Sequence, residues 1–162
     1  MKQTNISKIV TITGIILALM LLLLSIGSTW FFISVLQVSV LEWSIFNACA
    51  PSSFVYLICF LIYMLTKKNI LLPVAIIPLF FFGTMGLFVF PWSGTNLFAQ
   101  ASHIVMTLNI GWLLYVMFKT TNYKSFTMGL LLGVFISIPY MSYNQYYCRN
   151  HVEDVERILQ MK

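Results

Sequence analysis

Carboxylates are nearly missing from this sequence: Asp and Glu together number four among 162 residues. They are Glu42, Glu153, Asp154 and Glu156, so none falls inside a long apolar run. Proton-coupled transport relies on buried acids, and their absence argues against an ion-driven pump. Charge of either sign is scarce as well, at 8% of residues against 60% hydrophobic. An ordinary soluble domain is about a quarter charged. A soluble chain of this size lacks the polar residues to cover so much apolar surface. Cysteine occurs three times with no CxxC pair, which excludes a redox dithiol of the usual spacing. There is no phosphate-binding glycine loop, no dinucleotide fingerprint, no HExxH and no serine elbow. A metal needs three or four ligands, and only His103, His151, Glu42 and the cysteines are on offer. No metal site is expected, and the sequence leaves any cofactor open.

What remains is hydrophobic length. Five apolar segments read as spans, at residues 9–36, 45–65, 70–90, 97–118 and 125–147. Each is near the roughly 20 residues that cross about 30 Å of hydrocarbon. The fold class is therefore all-α, a polytopic five-helix transmembrane bundle forming one domain over residues 1–162. Lys2 and Lys8 ahead of the first run, with Ser25, Ile26 and Gly27 further on, also resemble a signal peptide. The apolar run continues through residues 30–36 instead of turning polar, which favours a span. Pro51 lies too close to the second span's end for a full crossing, so that helix should start near Ile45 and bend at the proline. The fifth should continue through Pro139 for the same reason of length. Short connections make neighbouring helices antiparallel.

Lysine sets the orientation. With the N-terminus inside, the inner face receives Lys2, Lys8, Lys67, Lys68, Lys119 and Lys124 and no acid, while Glu42 and the mixed-charge tail fall outside. The expectation is N-in, C-out, in the cell membrane. Six of nine basic residues flank apolar runs in this way, so the net charge of +5 reads as topology and not as a nucleic-acid surface.

The fourth segment carries a polar stripe. At about 100° per residue, Asn96, Gln100, His103 and Thr107 share an arc of about 60°, with Ser102 and Asn109 on another face. Polar groups at that depth should face inward, either as hydrogen-bonding glue or as the lining of a pocket. Glu42, Asn47, Trp92, Tyr143, Asn144 and Tyr147 are the expected rim. His103 is the one side chain in the spans that titrates near neutrality.

Three functional readings follow. The leading one is a non-enzymatic protein binding a small or lipid-like molecule in an outward-facing pocket of Asn96, Gln100, His103 and Thr107, with Glu42 and Tyr143 at its edge. The second is an accessory, assembly or immunity-type subunit acting by helix packing. The third is a membrane-embedded enzyme using His103 as acid or base, with Tyr143 or Glu42 assisting. Ser125, Gly129, Gly133 and Ser137 recur every fourth residue, a face for close helix contact. It could meet another helix of this chain, for which the second span is a candidate, or form a seam to a second copy or a membrane partner. Cys49 and Cys148 both fall at outer helix ends and stand as a candidate disulfide or as two incidental thiols, while Cys59 is mid-helix. The tail, residues 149–162, reads as a short amphipathic helix capped by Asn150, with Val152, Val155 and Leu159 as its stripe and a Glu153–Arg157 pair.

Overall fold

The computed structural model describes residues 7–68, 70–94, 96–120 and 123–159. It is 88% helical, with no strand among the described residues. Among the described residues, five helices are long and apolar enough to cross a membrane: Lys8–Val35, Cys49–Thr66, Leu72–Val89, Asn96–Thr120 and Tyr123–Asn150.

The first, α1 (Lys8–Trp30), starts at Ser7, whose Oγ accepts from the Val10 N–H at 3.3 Å. Its last turn widens into a π turn at Phe31–Val35, and Gln37, left-handed at φ 52°, ends it. A short helix, α2 (Val40–Phe46), follows, and its N-terminus is a capping box. The Ser39 Oγ accepts from the Glu42 N–H, and the Ser39 N–H donates to the Glu42 carboxylate. Asn47 closes α2, and α3 (Cys49–Thr66) starts afresh. The expected continuous helix from Ile45 bending at Pro51 is therefore replaced by two helices. The chain breaks at Asn47, and Pro51 sits in the first turn of α3, where a missing N–H breaks no helical hydrogen bond.

The third long helix, α4 (Leu72–Val89), is the irregular one. It opens as a 3-10 turn at Leu72–Ala75, passes through Pro78, and widens into a π turn at Phe80–Thr84 before a last α turn. Next come α5 (Asn96–Thr120) and α6 (Tyr123–Asn150), the latter running through Pro139 without ending. The tail forms α7 (Val152–Leu159). Asn150 belongs to α6, donating to the Tyr146 carbonyl, and is not the cap of the tail. Arg157 pairs with Asp154 at 2.7 Å instead of Glu153. Val155 and Ile158 pack on Ile45 and Phe46, whereas Val152 is exposed.

The core joins α1, α3, α4 and α5 around Leu21, Tyr56, Leu72, Leu79, Met106 and Leu113. Two polar ties lock α5 to α1. The Trp112 Nε1–H donates to the Val10 carbonyl at 2.7 Å, with its indole lying over Gly14, and the Asn109 Nδ2 donates to the Leu17 carbonyl at 3.3 Å. α6 docks on α4 and touches α5, its neighbour in sequence, only lightly. A Cβ on Gly133 would lie 2.5 Å from the Val74 carbonyl oxygen, and one on Gly129 would strike the Ile70 carbonyl oxygen. Gly129 and Gly133 of the small-residue face thus pack on the start of α4 and the residues just before it, and not on α3, the helix expected there.

Candidate functional site

The polar stripe of α5 divides between two neighbours. Gln100 and His103 are each 1% exposed. The Gln100 Nε2 donates to the Phe90 carbonyl at 2.7 Å, and its Oε1 lies 3.1 Å from His103 Nδ1. This arrangement fixes the amide, since a flipped Gln100 would turn its oxygen toward the Phe90 oxygen. With Oε1 as acceptor, Nδ1 must carry the ring hydrogen of a neutral imidazole, leaving a lone pair on Nε2. One turn further along, the Thr107 Oγ1 donates to the His103 carbonyl at 2.8 Å and meets the Thr84 Oγ1 of α4 at 3.0 Å.

The lone pair has a partner that the sequence reading did not pair with it. Cys49 Sγ lies 3.2 Å from His103 Nε2 and 3.0 Å from the carbonyl oxygen of Phe82, within the π turn of α4. A thiol has one hydrogen and two acceptors here, while a thiolate would face the Phe82 oxygen unfavourably. A neutral thiol beside a neutral imidazole gives its one hydrogen to either acceptor in turn, the Phe82 carbonyl or Nε2. His103 reaches this position because Gly86 of α4 lies beneath the ring, where a Cβ would stand 2.5 Å from Cε1. The Phe90 ring lies 5.5 Å from the imidazole. Cys49, His103, Gln100 and the Phe90 carbonyl thus form one polar line through three helices.

That line ends at a cavity of about 150 Å³ between α1, the α2–α3 junction and α5. Leu24, Phe31, Phe32, Phe46, Phe90 and Phe98 supply apolar wall. Ser25, Ser28, Asn47, Cys49, Asn96, Ser102 and His103 supply polar groups. Phe31 and Phe98 are also exposed, so this wall is continuous with the outer surface of the helices. Asn47 Nδ2 donates to Ser28 Oγ at 2.8 Å, tying the junction to α1.

Of the expected pocket residues, Asn96 and His103 line the cavity, whereas Gln100 stands behind the imidazole and Thr107 turns to α4. Ser102, expected on another face, lines it too, because the cavity lies on the α1 side of α5. Glu42 is not at the rim; it caps α2, and the hydrogen bonds from the Ser39 hydroxyl and then the Ser39 N–H hold its carboxyl below the usual value. Tyr143 is exposed beside Tyr147, outside the cavity lining. Asn144 donates to the Ile45 carbonyl at 2.6 Å and holds α6 to α2, as does the hydroxyl of Tyr140 through the Ser44 carbonyl. Tyr147 stacks on His151, and Trp92 is exposed.

Cys49 and Cys148 are both free thiols. Cys49 belongs to the imidazole, while Cys148 packs near Ile45, Phe46 and Ile158, so the pairing considered from topology is not formed. Among the described residues no group of three or more His, Cys, Asp or Glu could hold a metal ion. Compared with known proteins, the chain matches no family model, no curated protein and no solved structure.

Proposed function

We propose that this chain is an integral protein of the cell membrane, N-terminus inside, that binds a small lipid-like molecule in a pocket facing the outer leaflet. The observation that carries the reading is the cavity itself, with phenylalanine walls and a cluster of polar groups from Asn47, Asn96, Ser102 and His103. Ligand sites have this composition: mostly apolar lining with a few placed polar groups that orient the occupant. The lysine distribution supports the orientation, because the cavity lies at the end of the bundle opposite Lys67, Lys68 and Lys119. Wall residues Phe31 and Phe98 are exposed on the outer surface of the helices, so an acyl chain could enter sideways from lipid.

Native mass spectrometry of detergent-purified protein tests the reading. His103 is a poor probe because it is buried in hydrogen bonds, so the cavity is better filled from a wall position. Ser102 donates only to its own helix, to the Phe98 carbonyl at 3.4 Å. Ser102→Phe should abolish a co-purifying lipid-sized mass while leaving the unfolding temperature near that of wild type. Equal retention by both proteins would sink the pocket.

A further inference from the structure

We propose that Cys49 is an acyl-accepting nucleophile, with His103 as its base, and that it takes the acyl group of an ester-linked lipid seated in the cavity. The inference deepens the lipid-binding reading and rests on it. Its chemistry comes from the contacts at sulfur. A cysteine kept only for packing has no need of an imidazole, yet Cys49 Sγ stands 3.2 Å from Nε2. That nitrogen is the unprotonated one, because Gln100 Oε1 holds the hydrogen on Nδ1 at 3.1 Å. A nucleophile, a base within hydrogen-bond reach and a third group orienting the base form the general arrangement for covalent catalysis. Gln100 touches neither sulfur nor cavity and acts as a positioning residue.

Two further features favour attack. Cys49 is the first residue of the 18-residue helix α3, whose N-terminal dipole favours negative charge developing on sulfur or on a nearby carbonyl oxygen. Asn47, on the same cavity wall, gives one amide hydrogen to Ser28 Oγ, and its second is the donor for that oxygen. Cys59 and Cys148 lack such a setting. The first is buried mid-helix and the second packs beside the tail helix, so they serve as internal controls.

In the step, Sγ bonds to the ester carbonyl carbon as the thiol proton passes to Nε2. The carbon–oxygen ester bond then breaks, and the same proton goes to the departing alkoxide. The ester and the thiol become a thioester on Cys49 and a free alcohol, with no change of oxidation state. Water or a second alcohol would release the acyl group by the reverse sequence.

The test incubates the full-length protein in detergent with p-nitrophenyl decanoate or p-nitrophenyl acetate and follows nitrophenol release and protein mass. The expected result is one decanoyl adduct on the Cys49 peptide, removed by neutral hydroxylamine, forming at least tenfold faster than the acetyl adduct. A Cys59→Ala, Cys148→Ala double variant should keep it, and Cys49→Ala should lose it. His103→Gln should slow it by roughly 10²–10⁴-fold, the usual contribution of a general base. Should His103→Gln fail to fold, the cysteine variants decide alone. An adduct that persists in Cys49→Ala, or that forms equally fast with both esters, overturns the proposal. Wild type that retains lipid in native mass spectrometry yet forms no adduct also overturns it, and leaves the binding reading standing. Protein that neither retains lipid nor forms an adduct overturns both.

Discussion

Gly86→Ala is the sharpest test of how the site is held together. The added Cβ would lie 2.5 Å from His103 Cε1 and 2.7 Å from each ring nitrogen. Carbon contacts relax at about 3.5–4.0 Å, so the imidazole would have to retreat by about 1 Å. It cannot retreat freely, because Gln100 holds Nδ1, Cys49 abuts Nε2 and the Phe90 ring lies beside it. Overpacking of this kind costs about 1–3 kcal/mol. Gly111, in the middle of α5, supplies the control, since a Cβ there meets nothing within 4 Å. Gly111→Ala should be neutral or stabilising by up to about 1 kcal/mol, through helix propensity and unfolded-state entropy. Denaturant unfolding in micelles should therefore separate the two substitutions clearly. A double-mutant cycle isolates the cause: in a His103→Ala background, Gly86→Ala should lose most of its penalty. A penalty that persists without the imidazole would refute the claim that Gly86 exists to seat the ring.

Other outcomes are expected from the same structure. Gly133→Ala should cost more than Gly86→Ala in the same unfolding assay, because its Cβ would stand 2.5 Å from a backbone carbonyl of Val74 that cannot rotate away; an equal or smaller loss would mean that α6 does not sit as described. Glu42→Gln should loosen α2, read by Trp43 fluorescence. The folded carboxyl titrates below its ordinary value, so its contribution is complete at neutral pH and fades as pH falls through the folded value. The variant should lack that acid transition. Orientation is read on a cysteine-free background, where impermeant maleimide applied to intact cells should label Val152→Cys and spare Lys68→Cys; the reverse pattern would overturn the N-in assignment.

How much of this was legible in the sequence can be judged from particular residues. The five long helices follow from apolar length and the scarcity of charge. The Gln100–His103–Thr107 face was legible because one helix's own periodicity sets it. The partner of His103 was not. Cys49 opens α3 and His103 lies two turns into α5, both in the half of the bundle opposite Lys67 and Lys119. Rotation of α3 toward α5 left no mark, because Ser52 and Ser53, its nearby polar residues, bond back to their own helix through the Ala48 and Cys49 carbonyls. Gly129 and Gly133 announced a close approach without naming what approaches. What meets them includes backbone oxygens of Ile70 and Val74, which no side-chain pattern encodes. The break at Asn47 was hidden for a similar reason, since the hydrophobic run passes through it and only the Ser39–Glu42 box marks a separate helix.

The docking of α6 on α4, past its neighbour α5, bears on how the protein is made. A bundle built from successive hairpins can settle each helix against the one just synthesised. Here the last long helix must return across the fourth to a groove on the third, which stays uncovered while some thirty residues, 90–120, are added. Chains stopped after α5 should therefore present the Ile70–Val74 backbone to lipid and become substrates for quality-control proteolysis. The same separation makes the stretch between α5 and α6 the natural place to divide the gene, because α6, supplied as a second polypeptide, has a ready-made seat to find.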